Sequence, residues 1–139
     1  MKDIQHVTRM LVPEDQRVPV VASLFGPHFP LQIEPVVYDI AEQMCENYQG
    51  GYWNYFRLSN SGFVIFPDEN ESFAVSGYYT GVLTPDEFGL VCCTLAFSHL
   101  SFEGDWAFSR MCAKHHYLLQ RYVTGLPESS RARVQRAIF

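Results

Sequence analysis

The sequence predicts an α+β fold: a single domain, residues 1–139, in which a small antiparallel sheet of three to four strands in a meander packs with four or five helices. The length suffices for one domain with a hydrophobic core, and an aromatic content of 15% excludes a disordered chain. The predicted elements run as a helix, then strands, then helices. This order distinguishes the fold from a parallel α/β sheet, in which strands and helices alternate.

The N-terminal part is predicted to contain an irregular segment, a short helical turn and then the first full helix. Residues 1–19 form an irregular lead-in, because Pro13 and Pro19 would interrupt a helix. A short helical turn is expected to end at Gly26. The first full helix is expected to begin at Pro35, since proline suits the first helical position. The apolar residues that recur along it at every fourth position are Val36, Ile40, Met44 and Tyr48.

Strand-forming residues dominate the middle of the chain. The pair Gly50–Gly51 is expected to end the helix. The runs Tyr52–Leu58 and Phe63–Phe66 then flank Ser59–Gly62, a segment rich in turn formers, and together they predict a β-hairpin. A third run, Ser72–Val82, alternates loosely and is expected to add the next strand of the meander.

Three helices are predicted in the second half. Thr84 and Glu87 form a capping-box pattern around Pro85, and the helix that follows is apolar enough to be buried. A longer helix is expected over Asp105–Thr124, and a final one from Pro127 or Glu128 to Phe139. The residues expected to provide the apolar surface of the longer helix are Trp106, Met111, Tyr117, Leu118 and Tyr122.

The charge is distributed unevenly. The formal net charge of −5 divides into −10 over residues 1–109 and +5 over residues 110–139. The basic end could contact nucleic acid, with these candidate residues: Arg131, Arg133 and Arg136. Bases on the solvated faces of C-terminal helices explain the same pattern, so DNA binding is not expected.

A metal site is a second alternative. The four cysteines lack a paired short spacing, which favours free thiols in a reducing cytoplasm. Cys112, His115 and His116 would share one face of a helix, but a zinc site needs a fourth ligand, and no CxxC motif supplies it. The sequence therefore predicts neither a metal nor a cofactor.

Motifs of the common enzyme classes are absent from the sequence. It contains no GxGxxG, Walker A, HExxH or GxSxG pattern, which predicts a protein without catalytic residues. The first ten residues are too polar for a signal peptide, and no apolar run is long enough to span a membrane. We expect a cytoplasmic monomer.

The segment Gly50–Phe63, GGYWNYFRLSNSGF, is the densest cluster of aromatic and turn residues. It resembles the signature of the ArdB/KlcA antirestriction family, in which Tyr-x-Gly-Gly-x-Trp precedes an aromatic pair and Leu-Ser-Asn-Gly-Gly-Phe. The matching residues are Tyr48, Gly50, Gly51, Trp53, Tyr55, Phe56, Leu58, Ser59, Asn60, Gly62 and Phe63. Further segments that resemble the family are Val12–Arg17, Ser23–Gly26 with Phe29, Gly81–Leu83 and Ser98–Glu103.

The resemblance implies a protein of plasmids or other mobile elements that relieves type I restriction, through direct or indirect action on the restriction-modification system. Ser61 departs from the pattern, which leaves Gly62 as the expected position of positive φ in the turn. The net charge is too small to imitate DNA. The residues expected to matter are Arg17, Trp53, Tyr55, Ser59, Asn60 and Phe63, with Gly50, Gly51 and Gly62 setting the backbone. Arg17 is the foremost contact candidate, as a charged residue in a segment otherwise explained by packing.

Overall fold

A computed structural model describes residues 6–77 and 79–138, and the expectations for residues 1–5, Tyr78 and Phe139 lie outside these ranges. The helices of the described chain are α1 (Arg17–Phe25), α2 (Glu34–Met44), α3 (Pro85–Leu100), α4 (Trp106–Thr124) and α5 (Glu128–Ile138). The strands are β1 (Arg9–Leu11), β2 (Trp53–Leu58), β3 (Phe63–Pro67), β4 (Phe73–Val75) and β5 (Gly81–Leu83). Short 3₁₀ and π turns precede α1 and α2, at Glu14–Gln16 and Phe29–Ile33. This architecture confirms the predicted α+β class.

The main sheet is antiparallel with the order β1-β2-β3, and the predicted hairpin of β2 and β3 is confirmed. The predicted meander is wrong, because the third strand of this sheet is β1, within the supposed lead-in. Arg9 pairs with Leu58 and Leu11 with Phe56. All three β1 residues are exposed, so no alternation of polarity marks the strand in the sequence.

The run Ser72–Val82 forms a separate two-stranded hairpin instead of one strand. Phe73 pairs with Leu83 and Val75 with Gly81 across it. Gly77 lies between the two strands with φ of 130°, a conformation that ends a strand and that other residues rarely adopt.

Two predicted boundaries near the N-terminus are wrong. Pro19 does not interrupt α1, because it is the third residue of the helix, within the turn whose N–H groups need no partner. The helix does end at Gly26, as expected. Helix α2 ends at Met44, well before Gly50, because the Met44 carbonyl accepts a hydrogen bond from the Ser76 N–H at 3.0 Å instead of continuing the helical ladder.

Helix α3 is the centre of the fold and is buried as predicted. The capping box is present: the Thr84 hydroxyl accepts from the Glu87 N–H at 3.1 Å, and the Glu87 carboxylate accepts from the Thr84 N–H at 3.0 Å. The helix contacts β3 on one side and α2, α4 and α5 on the others. A Cβ at Gly89 would lie 2.5 Å from the Ile65 carbonyl oxygen, so only glycine permits this close approach to β3.

Helix α4 begins after Asp105, whose carboxylate accepts from the Phe108 N–H at 2.9 Å. Its predicted apolar surface is right for Met111 and Tyr122, which pack against the core, and wrong for Trp106 and Tyr117, which are largely exposed. The side chains that it buries, at helical spacing, are Phe108, Cys112, His115, Leu119 and Val123. In the described parts of the chain, none of the helices is both long and apolar enough to cross a bilayer.

Candidate functional site

Trp53 and Phe63, two of the motif residues, have structural roles. The buried Trp53 indole N–H donates to the Tyr48 hydroxyl at 2.9 Å, and its ring meets that of Tyr38 edge-on at 5.4 Å. Phe63 is buried against the rings of Phe25 and Phe29. Neither side chain is available to a partner without local unfolding.

The turn Ser59–Gly62 connects three parts of the fold. The Ser59 hydroxyl accepts from the Thr8 N–H at 2.9 Å, which attaches the segment before β1. The Asn60 side chain accepts from the Gly62 N–H and donates to the Leu118 carbonyl on α4, each at 2.9 Å. Ser59 and Asn60 therefore hold the hairpin against its neighbours.

The glycine roles in this turn differ from the expectation. Ser61, not Gly62, has the positive φ, at 76°. Gly62 is required for space, because a Cβ there would lie 2.9 Å from the Asn60 side-chain oxygen and 3.1 Å from Leu118 Cβ. Gly50 and Gly51 do adopt positive φ values, 85° and 120°, in the exposed connection before β2.

Arg17 lies at the start of α1 and is only partly exposed. Its guanidinium carbon is 4.5 Å from the centre of the Tyr52 ring and 4.3 Å from that of Tyr55, so it stacks on two tyrosines from β2 and the residue before it. Its buried Nε has no hydrogen-bond partner among the described residues. A buried donor without an acceptor is costly, so the stacking on the two tyrosine rings is achieved at the expense of one hydrogen bond.

Glu34, at the first position of α2, lies next to Tyr55. Its Oε2 atom accepts hydrogen bonds from the hydroxyls of Tyr55 at 2.6 Å and Tyr38 at 2.8 Å. Burial and the adjacent carboxylate raise the pKa of both tyrosines, which therefore stay protonated and keep donating.

Arg17, Glu34 and Tyr55 line a cavity of about 410 Å³, which we call the Arg17 pocket. Its polar residues are Arg17, Glu34 and Tyr55. Its apolar walls are Val18, Val21, Ala22, Phe29, Pro27 and Pro30. The pocket thus combines one cationic donor and one anionic acceptor with apolar walls, which suits an amphipathic group.

The Arg17 pocket brings together segments that are distant in sequence. Of the predicted residues it contains Arg17 and Tyr55, and it does not contain Trp53, Ser59, Asn60 or Phe63. The sequence reasoning missed Glu34, which no local pattern distinguishes from an acid at a helix start. Of the separately noted segments, Val12–Arg17 and Ser23–Gly26 with Phe29 both contribute lining residues.

Cys112, His115 and His116 do not form a metal centre. Cys112 and His115 point into the core, and burial raises the pKa of the Cys112 thiol to about 11, which opposes the thiolate that zinc requires. Within residues 6–77 and 79–138, no group of three His, Cys, Asp or Glu side chains is placed to hold an ion.

The arginines of α5 do not form a continuous basic patch. The Arg133 guanidinium donates to the buried carboxylate of Glu87 at 2.8 Å, so its charge is already paired. Arg131 donates to the Thr124 carbonyl at 3.5 Å. Of the three predicted arginines, Arg136 is the most exposed.

Known proteins are similar to this chain over nearly its whole length. Residues 46–138 match the family model described as antirestriction protein. The antirestriction protein KlcA of Escherichia coli is 35% identical, over 96% of each chain, and the uncharacterized protein YafX of E. coli K12 is 30% identical over 85% of this chain and 80% of its own. A solved structure superposes with a TM-score of 0.88 at 30% identity, covering 100% of this chain and 99% of the other. That structure comes from the KlcA and ArdB proteins, which are described as having a novel fold and antirestriction activity against type I DNA restriction systems in vivo but not in vitro.

Proposed function

Since the chain belongs to the antirestriction protein family, we propose that it relieves the cleavage of incoming unmodified DNA by type I restriction-modification systems. The observation that carries this proposal is the structural match to the KlcA and ArdB proteins over the full length of both chains. The family similarity is not confined to one motif. It covers the elements that bury the core and those that line the Arg17 pocket.

The charge distribution supports a mechanism other than DNA mimicry. Duplex DNA carries one negative charge per about 1.7 Å of axis, and a mimic must present a comparable array. The net charge here is −5, and the last 30 residues are net positive. The activity reported for the related structure in vivo but not in vitro also supports a route that needs a component of the cell. We infer that relief depends on specific contacts with a protein.

The Arg17 pocket is the surface that we propose for this contact. It combines the Arg17 side chain and the Glu34 carboxylate with an exposed apolar wall. Val18 on this wall is 77% exposed. A peptide segment with a small apolar side chain offers a carbonyl to the arginine and an N–H to the carboxylate, so it satisfies the pocket without any catalytic step. We further propose that the action is non-enzymatic and takes place in the cytoplasm.

The test is a plating assay in bacteria that carry an active type I system, challenged with unmodified phage. Wild-type protein is expected to raise the plating efficiency, and plating at the restricted level would contradict the proposed function. Arg17→Ala and Val18→Glu are expected to lower the relief by about tenfold or more, as loss of an interface hot spot does. Arg57→Ala is the matched control, since Arg57 is an exposed arginine of β2 outside the pocket.

A thermal melt of each purified variant separates contact from stability. Val18 is largely exposed, so Val18→Glu is expected to fold normally. If both pocket variants fold and relieve restriction as the wild type does, the pocket is not the contact surface, although the function itself stands.

A further inference from the structure

Helix α4 has an exposed face that the Arg17 pocket does not use. Its members, which we call the α4 basic face, are Trp106, Arg110, Lys114, Tyr117 and Arg121, spaced by three or four residues and all exposed. Trp106 is 71% exposed, although tryptophan is usually buried. The face extends for about 22 Å at the rise of an α-helix.

The charge of this face is uniformly positive. Helix α4 contains no Asp or Glu between Trp106 and Thr124. In the described parts of the chain, the ion pairs are Arg9–Asp86, His99–Glu103 and Arg133–Glu87, so none involves Arg110, Lys114 or Arg121. The Arg110 guanidinium carbon lies 4.8 Å from the Trp106 ring centre, which holds both side chains at one place on the surface.

A shallow groove of about 370 Å³ runs beside Trp106, between α4 and α1. Its apolar lining comes from Leu24 of α1 and from Ala107 and Met111 of α4. Arg110 and Lys114 form its charged rim. The volume is enough for one or two aliphatic side chains, with cations placed to meet anionic groups on either side.

We propose that the α4 basic face docks an acidic amphipathic segment of a partner protein. An apolar side chain of the segment occupies the groove beside Trp106, and its carboxylates pair with Arg110 and Lys114. The apolar groove favours a protein over nucleic acid, which has no aliphatic side chain to fill it. The three bases along about 22 Å are also few against the charge density of a duplex. Trp and Arg are the residues most enriched among interface hot spots.

Trp106 provides a direct signal for the test. The chain has two tryptophans, and Trp53 is only 2% exposed, so a change in solvent-exposed tryptophan emission reports on Trp106. The probe is a tryptophan-free helical peptide of about 15 residues, with leucines on one face and glutamates beside them. We expect a saturable blue shift whose midpoint moves to higher peptide concentration as NaCl rises from about 50 to about 500 mM.

Three comparisons make this experiment decisive. A peptide with lysine in place of glutamate is expected not to bind. Arg110→Ala with Lys114→Ala is expected to weaken binding about tenfold, whereas the control Arg57→Ala with Arg136→Ala removes the same charge elsewhere and leaves binding unchanged. Any one of four results would overturn the proposal: no blue shift, equal binding of both peptides, equal loss of binding in both double variants, or tighter binding of a single-stranded oligonucleotide.

The plating assay then tests the surface in the cell. Arg110→Glu with Lys114→Glu is expected to reduce the relief of restriction, because the reversed charges repel an acidic segment. If the wild type relieves restriction and this variant does so equally, the docking surface is wrong and the proposed function stands. If the wild type gives no relief, the proposed function fails, and the fluorescence measurements alone decide the docking surface.

Discussion

Replacement of His115 by leucine should remove a large part of the acid sensitivity of this fold between about pH 7 and pH 5, and the neighbouring His116, whose pKa burial also lowers, accounts for a further part. The His115 ring lies on the buried face of α4, with its centre 4.4 Å from that of Phe25 and 5.6 Å from that of Phe97. Its Nδ1 atom has no hydrogen-bond partner among the described residues. Burial, with a smaller contribution from Lys114, lowers the pKa of His115 to about 4.

The sign and size of the effect follow from this pKa. The folded state holds His115 below its ordinary pKa of about 6.5, so the unfolded chain binds the proton more readily. The corresponding stability is complete above pH 6.5 and is lost as the pH falls towards 4. Between pH 7 and pH 5 the free energy of unfolding should drop by about 2 kcal/mol from this residue alone.

Urea unfolding of the wild type and His115→Leu at about pH 7, 6 and 5 measures this contribution. Other titrating groups are common to both proteins, so the difference between the two curves isolates His115. At pH 7 the variant should lie within about 1 kcal/mol of the wild type, because leucine has a similar volume and no unpaired polar atom. His6→Gln changes an exposed histidine and is the control. Equal pH dependence of wild type and His115→Leu would refute the reasoning.

The remaining predictions concern the hairpin turn and the attachment of α5. Ser61→Gly should raise the free energy of unfolding by about 0.5 to 1 kcal/mol. Glycine adopts the positive φ without strain, and this gain exceeds the loss from the greater flexibility of glycine in the unfolded chain. A lower thermal midpoint would contradict this. Gly62→Ala should lower the free energy of unfolding by about 1 to 3 kcal/mol through the contacts with the Asn60 oxygen and Leu118, and a wild-type midpoint would show that the turn adapts. Glu87→Ala should lower the free energy of unfolding by about 2 to 3 kcal/mol, since it removes the capping-box acceptor and the partner of Arg133. Chemical denaturation measures this change, and a loss no larger than about 0.5 kcal/mol, as for a surface substitution, would show that Glu87 does not attach α5.

The features that the sequence predicts correctly depend on neighbouring residues. The capping box at Thr84 and the hairpin on either side of Ser59–Gly62 are specified within a few positions, and both are present in the structure. The start of α4 after Asp105 is equally local. Capping and turn preferences depend on residues within a few positions of each other and not on tertiary packing, so they can be recognised from the sequence alone.

The features that escaped prediction depend on distant contacts. Strand β1 is exposed and exists because β2 offers it hydrogen-bond partners. Helix α2 ends where the Ser76 N–H donates a hydrogen bond to the Met44 carbonyl. The Arg17 pocket likewise needs the start of α1 and of α2 to meet β2. Arg17 could be selected as a charged residue among packing residues, but its acidic neighbour Glu34 could not.

The position of β1 has a consequence for how the protein is made. Its partner residues on β2 lie roughly fifty positions later, and α3 is enclosed by elements on both sides of it in the chain. In a nascent chain, β1 therefore leaves the ribosome well before β2 has been synthesised, and α4 and α5 follow only after residue 105. Because α3 packs against both of these later helices and non-local contacts form slowly, we expect most of the folding to wait until α5 has been synthesised. Chains cut short before α5 would leave Glu87 without Arg133 and become substrates for proteolysis rather than partly active protein.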